Sequence, residues 1–298
     1  MRLVMTLLVR DEEDILDANL EFHRAAGVDH VVATDNLSED ATPDILERYA
    51  AQGWLSWRRE TDDDYSQHRW VTCMAREAAA VHGADWVINN DADEFWMPSE
   101  GPGDLKAVLA EVPLDVGGLK VPRVEFLTRP DGPEPFYDRL TVRFADGVKP
   151  DGKRLLPKVL HRADADVEVV QGNHDASGPL LGPIQDTDQL LILHAPNRSY
   201  RQLANKIEKG GRAYANNQEL PQRMGKRWRM LYERYQAGTL EAWYRDQILT
   251  EDEVGSGLSD GTFVVDERLR EFFHDHRPEP RAPDAGRLRR LLQRGRAR

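Results

Sequence analysis

The segment Trp86-Val87-Ile88-Asn89-Asn90 is short and apolar at its start, and it runs straight into Asp91-Ala92-Asp93-Glu94, three acids within four residues. An apolar run of this length reads as a buried strand. Carboxylates at i and i+2 leaving a strand end point the same way, toward one hard divalent cation. The carboxyl edge of a parallel sheet is also where open α/β folds bind nucleotides. The plain alternative for a bare Asp-x-Asp is a solvated acidic turn. The preceding strand and the flanking aromatics put a site on an equal footing with it.

The rest of the first hundred residues supports such a sheet. Leu3–Val9 reads as a strand, followed by a helix on Ile15, Leu16, Leu20 and His23 that Gly27 ends. Val28–Thr34 is a second strand, and Thr42-Pro43 starts a helix with Thr42 as its cap. Trp54–Arg59 follows as a third strand, then a helix from Ser66 to His82, then the fourth strand, Asp85–Asn90. This alternation predicts a parallel, doubly wound sheet. Beyond a helix at Asp104–Val112 the texture changes. Strands are expected at Leu119–Leu127, Leu140–Phe144, Leu155–His161, Val167–Val170 and Leu190–His194, and helices at Ser199–Asn216, Gln222–Gln236 and Leu240–Leu249.

Composition narrows the function classes. A net charge of −12 argues against general nucleic-acid binding, which needs clustered lysine and arginine. The single cysteine, Cys73, allows no internal disulfide, fits a reducing compartment and reads as core packing. The Leu3–Val9 run reads as a strand and not a signal peptide, and no stretch approaches the roughly 20 apolar residues of a membrane span. The expected location is therefore cytoplasmic. The last 22 residues carry eight arginines and two acids, and they read as a solvated tail or as a peripheral contact with an anionic membrane or an acidic partner.

Three segments share the expected nucleotide edge: Arg10-Asp11-Glu12-Glu13-Asp14 after the first strand, Asp35-Asn36-Leu37-Ser38-Glu39-Asp40-Ala41-Thr42 after the second, and Asp91-Ala92-Asp93-Glu94-Phe95 after the fourth. Taken alone, Glu12 and Glu13 read as first-turn acids complementing a helix dipole, and Ser38 to Thr42 as a capping turn. Together the segments resemble the GT-A glycosyltransferases, specifically a family 2-like group with a D-x-D-E-F signature, over roughly residues 3–100. The resemblance implies a Rossmann-like α/β fold with a mainly parallel central sheet flanked by helices. It implies a GT-A domain over 1–215, with a nucleotide-sugar half (1–100) and an acceptor half (101–215), then a helical extension (216–276) and the tail (277–298). It further implies a nucleotide-sugar donor, Asp35 reading a uracil or other base with Arg10, Gln67 and Arg69 nearby, and Mn²⁺ or Mg²⁺ bridging Asp91, Asp93 and the donor diphosphate. Many relatives carry Asp where this chain has Asn36, and Glu12 joins the donor set with Arg10.

A later stretch, His194-Ala-Pro-Asn-Arg198-Ser followed by Lys206, Lys209 and Gly210-Gly211, looks like the same family's basic helix. His194 would complete the metal shell. Arg198, Lys206 or Lys209 would neutralise the leaving diphosphate. Gly172-Asn173-His174-Asp175 is shared with calcineurin-like phosphoesterases, but their other metal motifs are missing. Within a transferase, Asp175 is the first candidate for the base that deprotonates a hydroxyl acceptor (saccharide, lipid or small molecule) and Glu125 the second. Trp70, Trp86 and Trp96 would stack on substrate or fill the core. Two other readings stay open: a non-catalytic nucleotide-sugar-binding module of the same fold, and a sugar nucleotidyltransferase, whose glycine-rich basic loop after the first strand is missing. A haloacid-dehalogenase-type phosphatase would carry its Asp-x-Asp after the first strand.

Overall fold

The computed structural model describes residues 1–63, 66–148, 152, 154–216 and 225–276. The arginine-rich stretch and the start of the helix expected from Gln222 lie outside these residues. The chain begins β1 (Leu3–Val9), α1 (Leu16–Ala25), β2 (His30–Asn36), α2 (Thr42–Ala50), β3 (Leu55–Glu60), α3 (Gln67–Ala80), β4 (Trp86–Asp91). It continues with β5 (Glu94–Pro98), α4 (Leu105–Ala110), β6 (Gly118–Val121), β7 (Arg123–Glu125), α5 (Phe136–Arg139), β8 (Val142–Phe144), β9 (Lys158–Arg162). Next come β10 (Glu168–Val169), β11 (Ala176–Ser177), β12 (Ile184–Asp186) and β13 (Leu190–His194). Four helices and a strand complete it: α6 (Tyr200–Asn216), α7 (Lys226–Gln236), α8 (Leu240–Arg245), α9 (Glu251–Asp260), β14 (Phe263–Val265) and α10 (Arg268–Asp275).

The central sheet has seven strands in the order β12-β6-β9-β4-β1-β2-β3. It is mainly parallel; β9 alone runs against its neighbours β4 and β6. Helices cover both faces, which explains the nearly unbroken apolar run of β1. Leu3, Met5, Leu7 and Val9 face one core, whereas Val4 joins Val32 and Val87 in the other. The helix α3 closes that second face with Val71, Met74, Ala75 and Ala78, a single stripe at helical spacing. Burying Val71 and Met74 contributes about 1.5–3 kcal/mol each, and the single methyls of Ala75 and Ala78 less. Thr42 does not cap α2 as expected. Its hydroxyl instead accepts the Glu12 amide at 2.9 Å, tying the loop after β1 to the start of α2.

A second sheet, β5-β13-β7, was only partly foreseen, since β5 did not register as a strand. It starts three residues beyond the end of β4 and sets His194 opposite Glu94 on one side and Glu125 on the other. α6, α7 and α8 pack around Leu203, Ile207, Leu231, Leu240 and Tyr244. No helix among the described residues is long and apolar enough to cross a membrane.

Two fully buried histidines make this fold acid-sensitive. His23 donates from Nδ1 to the Asn19 carbonyl at 2.8 Å and accepts the Trp96 amide on Nε2 at 3.2 Å, so its neutral tautomer is fixed. His161 donates from Nδ1 to the Arg162 carbonyl at 2.8 Å, and its buried Nε2 has no partner. Burial pushes both pKa values down to about 4, against the opposing pull of those carbonyls. Both histidines stay neutral in the fold while the unfolded chain takes up protons below pH 6.5, so stability falls as pH drops from about 6.5 toward 4. At pH 5 the expected loss is about 2 kcal/mol per histidine relative to pH 7.5. Urea denaturation across this window checks it, and a flat stability profile between pH 7.5 and 5 would overturn the account.

Candidate active site

The registers Leu8↔Asp91 and Val9↔Asp35 place the ends of β1, β2 and β4 side by side. The three motif segments therefore leave the sheet at one edge. There they line a cleft of about 540 Å³ together with residues of β7, β9, α3, α6 and α7. Of the sequence candidates, Arg10, Glu12, Asn36, Gln67, Asp91, Asp93, Glu125, His194, Lys206 and Lys209 lie on its wall.

The turn Ala92-Asp93 between β4 and β5 is held from behind by Asn19. Its buried amide donates to the carbonyls of Ala92 at 3.0 Å and Glu94 at 2.8 Å, and its oxygen accepts from Asn90 at 3.0 Å. The Ala195 amide donates to the Asp93 carbonyl at 2.8 Å and joins the turn to the end of β13. His194 consequently stands between two carboxylates, with Nε2 3.6 Å from Asp93 and Nδ1 3.4 Å from Glu125. Burial alone would lower its pKa, but the two acids raise it.

Burial would likewise raise the pKa of Asp93. Lys206, His194 and Arg198 instead hold it well below the usual carboxylate range. Lys206 reaches Asp93 at 2.8 Å and Glu12 at 3.4 Å, and one turn on, Lys209 reaches Asp11 at 2.6 Å and Glu39 at 2.7 Å. Arg198, only 1% exposed, donates to Glu12 at 2.5 Å, to Asp14 at 2.7 Å and to the Ala195 carbonyl at 3.1 Å. The basic helix thus meets the acid after β4 across 113 residues of sequence and the acid after β1 across 198.

Asp91 faces different partners. Lys158 donates to it from β9, Asn173 donates at 3.3 Å, and Gln67 at 3.5 Å. Lys158 also lies 3.3 Å from the fully buried Glu94, which Arg123 pairs at 2.6 Å. Sequence reasoning missed Lys158, Arg123 and Asn19. Lys158 sits in a segment foreseen only as a strand, and nothing local marks its side chain as turning into the cleft. Asn19 lies on the face of α1 that the apolar pattern already assigned inward, and a polar residue on such a face was its one signal.

Other candidates sit elsewhere. Asp35 is fully buried behind Asn36, accepts the Ser38 amide at 3.3 Å and lies 3.3 Å from Arg59. Arg69 pairs with Asp62 at 3.2 Å on the surface. Asp175 is not on the cleft wall; its carboxylate turns away to Lys120 at 3.0 Å. Trp96 and Trp86 are core residues, the first donating its indole proton to Asn90 at 2.9 Å, the second lying under Arg162. Trp70 does line the cleft. Among the described residues no three His, Cys, Asp or Glu side chains converge as a ready-made metal cage.

Residues 6–140 match the model of glycosyltransferase family 92. No curated protein sequence matches the chain. Among solved structures, S. aureus TarS 1-349 in complex with UDP is 15% identical, covering 80% of this chain and 71% of its own, with a TM-score of 0.45. HddC from Yersinia pseudotuberculosis is 11% identical over 67% of this chain and 97% of its own, with a TM-score of 0.38. Glucosyl-3-phosphoglycerate synthase from Mycobacterium tuberculosis, in complex with Mn²⁺, UDP and phosphoglyceric acid, is 16% identical over 41% of this chain and 43% of its own, with a TM-score of 0.28. The matched region runs from within β1 past the Asp91-Ala92-Asp93 turn, and on that match the chain is an enzyme of the glycosyltransferase class.

Arg198 is the pivot of the site's ion pairs. Removing one member of a buried pair costs about 3–5 kcal/mol, because the remaining charges stay buried without a partner. Arg198→Met takes the shortest cation contact from buried Glu12, which keeps Lys206 at 3.4 Å, while Asp14 is exposed, so a destabilisation of about 3 kcal/mol, the low end of this range, is expected in urea denaturation. A loss below about 1 kcal/mol would show that other groups balance these acids.

Proposed function

We propose that the protein is a metal-dependent glycosyltransferase of the family 2-like kind. It would move a sugar from a nucleotide diphosphate sugar, the UDP-sugar being the simplest choice, to a hydroxyl acceptor. The observation that carries this reading is the meeting of Asp93, His194 and Lys206 at the carboxyl edge of the sheet, inside one cleft. Arg10, Asn36 and Gln67 form its wall on the side of β1, β2 and α3, the side assigned to the base and ribose, with Asp35 behind them.

The donor set suits a hard divalent cation. Mg²⁺ and related ions are held by one or two carboxylates together with substrate phosphates, so a closed protein cage is not required. Asp93 and His194 would hold the ion, and Glu125 behind Nδ1 would fix the imidazole orientation, as carboxylates commonly do for metal-binding histidines. Asp91, engaged by Lys158 and Asn173, would sit beside this pair and face the donor. Bound there, Mn²⁺ or Mg²⁺ supplies positive charge against the departing diphosphate. Lys206 and Lys209 lie one helical turn apart on the same wall and would add donors to the same charge. Trp70 and Trp228 also line the cleft and would offer apolar surface to a sugar ring.

A thermal-shift panel of UDP, GDP, CDP, TDP and ADP, each with and without Mn²⁺, tests the reading. A ligand at 100 times its dissociation constant stabilises by about 2.7 kcal/mol, a rise in melting temperature of about 4 °C for a chain of this size. UDP with Mn²⁺ is expected to give that rise, and Asp93→Asn to abolish the part that requires Mn²⁺. An equal Mn²⁺-dependent rise in the variant would remove Asp93 from the site. A flat panel in the wild type would remove the donor reading itself.

A further inference from the structure

Of the motif Gly172-Asn173-His174-Asp175 the donor site uses only Asn173, which engages Asp91, yet Gly172 and His174 also lie on the cleft wall. Gly172 and Asn173 both adopt left-handed backbone, with φ of 83° and 61°. Consecutive residues in this region, one of them not glycine, persist only where the surroundings enforce them, and such strain gathers at functional sites. Here the enforcement is visible. Asn173 is 1% exposed, its amide donates to Asp91 at 3.3 Å and to the Asn89 carbonyl at 3.4 Å, and its own carbonyl accepts the Val159 amide at 2.9 Å. The turn is fastened to the ends of both β4 and β9.

What the turn delivers is His174. Its Nδ1 donates to the Pro157 carbonyl at 2.7 Å, which fixes the neutral tautomer and leaves the lone pair on Nε2. Among the described residues nothing donates a hydrogen bond to that nitrogen. The ring packs over Gly172, where an added Cβ would lie 2.8 Å from Nε2, so the glycine leaves the imidazole room in the cleft.

We infer that His174 is the group that takes the proton from the attacking acceptor hydroxyl. The inference rests on the glycosyltransferase reading above, and it moves the base one residue from Asp175. In the step, the acceptor oxygen forms a bond to the anomeric carbon as its proton passes to Nε2. The bond from that carbon to the diphosphate oxygen breaks, and its electron pair leaves on the diphosphate. A base on the acceptor belongs to direct displacement, so the anomeric centre inverts.

The electrostatic surroundings agree. Burial lowers the pKa of His174, and Lys158 from β9 and Arg123 from β7 lower it further; the Pro157 hydrogen bond and Asp91 from β4 oppose them. The imidazole is therefore neutral at pH 7 and ready to accept a proton. A carboxylate in the same place would be bound by Lys158 and Arg123, the fate of Asp91 and Glu94 beside it.

Two measurements on the full chain decide the matter. Long-range ¹H–¹⁵N spectra of ¹⁵N-histidine protein, assigned with His174→Gln and His174→Asn, should show His174 neutral at pH 7 with its proton on Nδ1. A charged ring, or a proton on Nε2, would overturn the assignment whether or not an acceptor is known. UDP release from a UDP-sugar with Mn²⁺ should fall about 10²–10⁴-fold in His174→Gln, with the low-pH limb of the wild-type profile lost. The UDP-induced rise in melting temperature should be retained. Turnover within threefold of wild type, or loss of the UDP response in the variant, would overturn the role of His174. Absence of the UDP response in the wild type would instead count against the donor site.

Discussion

Charge neutralisation at one sheet edge governs this structure. β1 and β4 end in Asp11, Glu12, Asp91, Asp93 and Glu94, of which all but Asp91 are buried. Burying an ionised carboxylate without partners costs several kcal/mol each, so the fold exists only if cations arrive from elsewhere. The cations that pair them come from segments distant in sequence. Lys158 and Arg123 reach in from the second half of the sheet region, and Arg198, Lys206 and Lys209 from the end of β13 and from α6. The site and the joint between the early and late parts of the chain are therefore the same object. Positions that look catalytic are also structural, and substitutions there will register in stability as well as in turnover.

The balance is divided in two. Around Asp93 the partners are Lys206, His194 and Arg198, on α6 and the end of β13. Around Asp91 they are Lys158 at the start of β9, Asn173 in the turn before β11 and Gln67 at the start of α3. The side chains of an Asp-x-Asp pair, read from sequence as a single chelate, are thus shared between two environments. Each has its own buried cation: Arg198 beside Asp93 and Lys158 beside Asp91 are both 1% exposed. Under the proposed reading the Asp93 side receives the ion and diphosphate, and the Asp91 side keeps its shape for the sugar and acceptor.

How far the sequence reached follows from the same physics. β1 to β4 were legible because buried parallel strands are apolar throughout and their ends are marked by turn residues. The convergence of Arg10, Asp91, Asp93, His194 and Lys206 followed from motif order and from the rule that ligands gather at strand carboxyl ends. Strand β5 was not legible, because Glu94-Phe-Trp-Met-Pro carries no alternation and its partner β13 lies almost a hundred residues away. Trp96 read as core or as a substrate platform, and it is core, its indole donating to Asn90 and its face belonging to the β5-β13-β7 sheet. The seven-stranded sheet also draws β6, β9 and β12 from beyond residue 100, so the two expected halves of the domain share one sheet.

The difference between Asp175 and His174 shows where pattern reading stops. Both residues belong to one four-residue motif, and the choice between them turns on backbone dihedrals that no composition rule supplies. Two consecutive left-handed residues rotate the chain so that His174 faces the cleft while Asp175 turns out to Lys120. That conformation is costly, of the order of 1–3 kcal/mol for a non-glycine residue. It is sustained because Asn173 satisfies the Asp91 carboxylate and the Asn89 carbonyl, so the Asp91 turn and the His174 turn hold each other in place. Releasing either would leave a buried polar group without its partner. The strain at Asn173 is thus the local cost of keeping a neutral imidazole beside a carboxylate cluster that would otherwise gather only cations.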